Sequence, residues 1–258
     1  FQICTGTVHE GMARNVFFTL RLPRTIMALM AGFGLSMAGA VYQNIFKNPL
    51  AAPDLIGVAN GATAGAAFSI VCLHGGTILA AGSSFVGGIT AVAAVVVLAG
   101  FVRQRTSATY VLAGIAVKAA AEAFVMAMKY FADPDKQLSA IDYWAMGSFA
   151  NITMDKLRVI FPVFLAGFIG IILLRWQITL LSLGDDEARM LGMRVNLVRC
   201  IVLGFSTLLV ASTVCVTGII SFIGLVAPHI ARMLLKKSDF GTCILSGLTG
   251  ASIMMAAD

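Results

Sequence analysis

The fold class that this sequence predicts is all-α, a polytopic bundle of transmembrane helices. Three observations point to it. Hydrophobic residues fill 59% of the 258 positions and charged ones only 12%, and the mean hydropathy of +0.93 lies outside ordinary soluble usage. The apolar residues fall in runs that approach the length of a bilayer span. The period-two alternation of a membrane barrel is missing, so helices, which satisfy their own backbone hydrogen bonds in lipid, are the expected spanning elements.

The first run, 26–46, lies between Arg24 and Lys47, and its Gly32, Ser36 and Ala40 repeat every fourth residue. Such a face of small side chains lets another helix approach closely. The second, 55–73, carries the same pattern in Gly57, Gly61 and Gly65. The third, 77–102, ends at Arg103. The fourth, 110–132, holds Lys118 and Glu122, charges that hydrocarbon rejects. Four residues apart, they share a helix face and can neutralise each other, either as a buried ion pair that fixes packing or as part of a pathway lining. The fifth run, 159–174, is bounded by Arg158 and Arg175, and the sixth, 200–217, follows Arg199. The seventh, 219–231, is too short to span and is interrupted by Gly224 and Pro228, which predicts a partial helix sheltered by its neighbours. The eighth is 243–257.

Orientation follows from the basic residues. With the first run crossing from outside to inside, the inner segments hold ten: Lys47, Arg103, Arg105, Arg175, Arg189, Arg194, Arg199, Arg232, Lys236 and Lys237. The outer segments hold six, Arg14, Arg21, Arg24, Lys136, Lys156 and Arg158. The positive-inside rule selects this arrangement.

The net charge of +6 does not indicate nucleic acid, because the basic residues sit at the ends of apolar runs rather than in a patch with interleaved aromatics. The five cysteines, Cys4, Cys72, Cys200, Cys215 and Cys243, show neither CxxC nor metal-ligand spacing. No metal site or disulfide framework is expected. His229, in "GLVAPHIAR", has no second ligand at metal spacing and is expected to be structural. Walker A, HExxH and GxSxG patterns are all missing, so no ATP-binding or catalytic residues are assigned. The chain opens on Phe1 without a signal peptide and stops at Asp258 after an apolar stretch, so truncation at both ends of a single transmembrane domain, 1–258, is expected.

The stretch "LGDDEARMLGMRV" is unusually polar for this chain. Asp185, Asp186 and Glu187 oppose the positive end of a short helix through Ala188, Arg189, Met190 and Leu191, and Gly192 is a natural stop. A helix of one or two turns is marginal alone and needs something to dock on.

The stretches "RLPRTIMALMAGFGLSMAGAVYQNIFKNPLAAPDLIGVANGATAGAAF", "LGDDEARMLGM" and "GIISFIGLVAPHIAR" together resemble the permease family of ATP-binding-cassette (ABC) importers for iron-siderophores, haem and cobalamin. The resemblance runs through nearly the whole chain. It implies the type II ABC importer permease fold, with about eight of an expected ten helices present. It further implies a bacterial cytoplasmic membrane location and transport of an iron chelate, haem or cobalamin. The implied partners are a second permease subunit, identical or different, two cytoplasmic ATP-binding subunits that hold Mg-ATP, and an extracytoplasmic substrate-binding protein, all assembled in membrane lipid.

By the same resemblance, residues 183–193 correspond to coupling helices that enter a groove of the ATPase, which nominates Leu183, Gly184, Asp185, Asp186, Glu187, Ala188, Arg189, Leu191 and Gly192. Glu187, Ala188 and Gly192 are also loosely similar to the E-A-A-x-x-x-G pattern of other importers, with Arg189 in place of the second alanine and the glycine one position early. Arg21 and Arg24 of "RLPR" match docking arginines for the binding protein, against plain anchoring at the headgroups. Thr106 and Ser107 of "RTSATY" match a cytoplasmic gate, against a simple helix cap. An ion-coupled secondary transporter that uses Lys118 and Glu122 is the competing reading.

Overall fold

The computed structural model describes residues 11–102, 106–237 and 239–258. Cys4, Arg103 and Arg105 lie outside the described residues. Those described form helices and connections without strands. In chain order the α-helices are α1 (Gly11–Val16), α2 (Leu22–Phe46), α3 (Val58–Cys72), α4 (Thr77–Gly100), α5 (Ser107–Phe131) and α6 (Gln137–Met146). They continue as α7 (Met154–Leu173), α8 (Arg175–Leu183), α9 (Asp185–Met190), α10 (Val195–Thr217), α11 (Ile223–Leu235) and α12 (Phe240–Ala257). Among the described residues six helices are long and apolar enough to cross a membrane, and α3 and α11 are shorter apolar helices. These account for the eight apolar runs.

The main departures from the sequence expectation lie at the first span, at the seventh run and at two short helices. The first span begins earlier, because α1 passes through a π-helical turn, Phe17–Arg21, straight into α2, giving a continuous 33-residue helix from Arg14 to Phe46. The wide turn accommodates Pro23, which has no N–H to donate and would otherwise crowd the preceding turn. Arg21 and Arg24 therefore stand on a helix rather than in a loop. The partial helix expected at 219–231 begins only at Ile223, because residues after Gly218 run as irregular backbone. The polar-apolar mixtures at Gln137–Met146 and Arg175–Leu183 form the short helices α6 and α8, which the search for apolar runs passed over.

The α2 helix is the hub, with Met27, Ala28, Ala31, Met37, Ala38, Val41, Tyr42 and Ile45 almost fully buried. It packs against α12, α11 and α10. The small-residue face explains how: a β-carbon on Gly32 would lie 2.4 Å from the Gly250 carbonyl oxygen, and one on Gly39 1.8 Å from that of Gly224. Only helices without side chains at these points approach so closely. Gly65 meets α4 in the same way, 2.1 Å from the Ser83 carbonyl oxygen. Several buried hydroxyls are satisfied locally or across helices; Thr207 donates to Leu203 O at 2.7 Å, and Ser246 to Ser36 O at 2.9 Å.

Between α2 and α3 the chain does not stay at the inner surface. A 3₁₀ turn, Pro53–Ile56, climbs beside α5, where a β-carbon on Gly114 would meet Leu55 O at 2.5 Å. Irregular backbone at this depth is tolerated because protein surrounds it. By contrast α5 buries only Tyr110 and Gly114, so most of this apolar helix remains uncovered by its own chain.

Candidate functional site at the inner end of the bundle

The polar stretch folds as a helix-turn-helix pivoting on Gly184. Its φ of 148° lies in the region that favours glycine, and a β-carbon there would strike the carboxylate of Glu187 and the ammonium of Lys47. Lys47, at the end of α2, also donates to the carbonyl oxygen of Leu183. The turn is thus tied to the central helix.

Asp185, Asp186 and Glu187 occupy the first turn of α9, where negative charge complements the helix dipole. The helix closes in a Schellman arrangement: Met193 N–H donates to Ala188 O at 3.0 Å and Gly192 N–H to Arg189 O at 2.9 Å, with Gly192 left-handed at φ 80°. The side chains divide into two sets. Ala188 is fully buried against the bundle, so it does not belong to a surface offered to a partner, as the sequence reading had it. Leu183, Met190 and Leu191 are exposed, Met190 by 87%, beside exposed Asp186, Glu187 and Arg189. Asp186 and Arg189 face each other at 3.5 Å on that surface. Of the two helices at the turn, only α9 falls within 183–193; α8 precedes it.

Asp185 turns the other way. Its Oδ1 accepts from Nη2 of Arg199 at 2.5 Å, and the Arg199 side chain is completely buried. The same Nη2 donates to Ser107 Oγ at 3.4 Å, while the guanidinium sits 5.4 Å from the ring centre of Tyr110. Ser107 Oγ in turn donates to Ile45 O at 3.4 Å. Thr106 caps α5, its backbone N–H donating to Thr109 Oγ1 at 3.3 Å. Sequence reasoning counted Arg199 only as an inner charge. Its partners are 14 and 92 residues away, so spacing carried no signal for them.

Within α5, Lys118 Nζ lies 3.8 Å from Glu122 Oε1, which also accepts from Asn60 Nδ2 at 2.9 Å. The side chains are 39% and 55% exposed, so the pair is not buried by its own chain. Lys118 and Asn60 line a cavity of about 370 Å³ together with Asp54 and the irregular residues 219–222. Asp54 and Asn60 carried no motif to single them out.

At the outer end the two arginines are unequal. Both are exposed, but Arg24 Nε donates to both carboxylate oxygens of Asp258, at 2.8 and 2.9 Å. His229 is exposed on α11, and among the described residues no group of three His, Cys, Asp or Glu side chains is placed to hold a metal ion.

The whole chain, residues 1–258, matches the model of the FecCD transport family. The molybdate import system permease protein MolB of Haemophilus influenzae is 34% identical over 96% of this chain and 74% of its own length. The hemin transport system permease protein HmuU of Yersinia pestis is 34% identical over 100% of this chain and 78% of its own. The ferric enterobactin transport system permease protein FepG of Escherichia coli is 34% identical over 92% and 71%. A solved structure, described as an inward-facing conformation of an ABC transporter of metal-chelate type, superposes with a TM-score of 0.90 at 32% identity, covering 97% of this chain and 80% of that one. Sequence, fold and the eight apolar helices agree: this chain belongs to the FecCD transport family and is a multi-pass membrane permease of an ABC transporter in the bacterial cytoplasmic membrane.

Proposed function

We propose that the chain conducts an iron chelate or haem inward, driven by ATP hydrolysed on separate cytoplasmic subunits. Its complex then contains two permease copies or a closely related pair, two ATPases and an extracytoplasmic binding protein. Among the relatives, permeases for hemin and for ferric enterobactin favour iron cargo, while the molybdate permease widens the class to metal oxyanions. The observation that carries the coupling part is the two-sided α9: Met190 and Leu191 exposed outward, Ala188 and Asp185 held inward. An exposed apolar and charged cap on a short, braced helix suits insertion into a soluble partner. On this reading ATPase movement reaches the bundle through α9, and the uncovered α5, with Lys118 and Glu122, faces the second permease and the pathway between them.

The test is uptake by proteoliposomes that contain the intact permease with its ATPase and binding protein. Ferric siderophore, hemin, cobalamin and molybdate are offered in turn. ATP-dependent accumulation of an iron chelate or hemin, lost when the ATPase cannot hydrolyse, supports the proposal. Accumulation that needs an ion gradient and no ATP overturns it and favours the secondary-transporter reading.

A further inference from the structure

The buried guanidinium of Arg199 touches both Asp185 at the start of α9 and Ser107 at the start of α5. We infer that Arg199 is a positioning residue that transmits displacement of α9 to the N-terminus of α5, and so sets the gate formed there. The inference rests on the coupling role proposed above for α9.

Three features of the geometry carry it. The contact to Asp185 is short and charge-assisted, and its guanidinium side is sealed from water, so α9 cannot shift without dragging or breaking it. The contact to Ser107 is longer and neutral, 3.4 Å, and Ser107 is itself linked to Ile45 near the end of α2 at 3.4 Å. The strong link makes Arg199 move with α9, and the weak ones at Ser107 let the start of α5 exchange its contacts as Arg199 moves. Finally, Nε and Nη1 of Arg199 make no hydrogen bond to a described residue. A buried cation with spare donors has capacity for a second arrangement of acceptors, which is the bistable element that coupling between distant sites requires.

Lys47 braces the same turn from the α2 side, through Leu183 O. A push on α9 is therefore resisted by the central helix and relieved toward α5, the least buried of the long helices. Transmission to α5 is the softer direction.

The experiment uses the full permease assembled with its ATPase, with spin labels at exposed Ala108 and Lys237 as a distance pair across the inner face. Variants are Arg199→Gln, Asp185→Asn and the double change. Where a single variant fails to fold because one buried charge is left alone, the double variant carries the test. Wild type is expected to show an ATP-dependent change in the Ala108–Lys237 distance. The variants are expected to keep their ATPase and its hydrolysis, lose that distance change, and transport about tenfold less, a typical coupling loss. An unchanged distance response and unchanged uptake in the double variant overturn the relay alone. Loss of ATPase binding in the folded double variant also overturns it, since Arg199 then only shapes the docking surface. A wild-type complex with no response at Ala108 overturns the relay together with the coupling reading of α9.

Discussion

Arg24 and Asp258 close the outer ends of α2 and α12 on each other, 234 residues apart in sequence, through two hydrogen bonds from one nitrogen at 2.8 and 2.9 Å. The pair continues at the surface a seam that starts deeper, where Gly32 meets Gly250. Arg24, itself exposed, is thereby paired within its own chain, whereas no ion pair to Arg21 is found among the described residues.

This division predicts different outcomes for the two. Arg21→Glu is expected to weaken docking of the binding protein and flatten the salt dependence of that affinity, because exposed ion pairs are screened by salt. Arg24→Ala is expected to lower the stability of the solubilised permease by no more than about 1 kcal/mol, since the pair is partly solvated. Binding-protein affinity at two salt concentrations, beside a thermal melt of each variant, makes the comparison. Equal loss of affinity in both would show that Asp258 does not occupy Arg24.

The glycine seam makes a sharper prediction about folding. A valine at position 39 would place its β-carbon 1.8 Å from Gly224 O, backbone that cannot swing aside. Gly39→Val is expected to cost about 3 kcal/mol or more, at the upper end of overpacking. Gly204 in α10 has nothing within 4 Å of the added carbon, so Gly204→Ala is expected to be neutral or to stabilise by about 1 kcal/mol through helix propensity. Melting temperatures in detergent compare the two.

Gly192 tests the cap of α9. Open space surrounds it, so the cost of a side chain there comes from φ 80° alone. Gly192→Asn is expected to be mild, Gly192→Ala to cost about 1–2 kcal/mol, and Gly192→Pro to be worst, because it also removes the N–H that donates to Arg189 O. Retention of the ATPase during purification should follow the same order. An Ala variant worse than Pro would contradict the cap geometry.

Docking of the ATPase is best probed at Met190 and Leu191, which are exposed, rather than at Ala188. Met190→Asp and Leu191→Asp are expected to leave the permease folded and monodisperse while ATPase association falls. Ala188→Arg is expected to disrupt the permease itself, since it forces a cation into a fully buried site. Size-exclusion profiles of permease alone and with ATPase separate the two effects.

The intramembrane pair was open to a lone-charge argument, in which removing Glu122 alone strands Lys118 at high cost. The half-exposed geometry predicts otherwise. Glu122→Gln is expected to leave folding yield within about 1 kcal/mol of wild type, because the amide still accepts from Asn60 Nδ2 and Lys118 is not enclosed by its own chain. Uptake is the sensitive readout. Loss of folding yield in Glu122→Gln, rescued by Lys118→Met, would show that the pair is buried after all.

Much of the architecture was legible because lipid selects apolar residues along a membrane helix, and the eight apolar helices, six of them long enough to span, fall on the eight apolar runs of the sequence. The polar stretch 183–193 was legible for the complementary reason, that acids followed by a glycine stop are costly decorations in such a chain unless they serve a helix end. What escaped was short or irregular. The helices α6 and α8 have only 10 and 9 residues of mixed character, and the Pro53–Ile56 turn leaves the surface for reasons that lie in α5, not in its own residues.

The sequence by itself determined the solvent, the apolar helices and the small-residue faces along which helices would meet, because each follows from local composition and helical period. Tertiary structure decided which faces met and which charges were used. It buried Ala188 while exposing Met190, gave Asp258 to Arg24, left Lys118 and Glu122 open, and brought Asp185, Arg199 and Ser107 together from three separate helices. Those outcomes depend on contacts between residues up to 234 positions apart, and in a helix bundle the partner of a side chain is set by how neighbouring helices cross, which no single helix encodes.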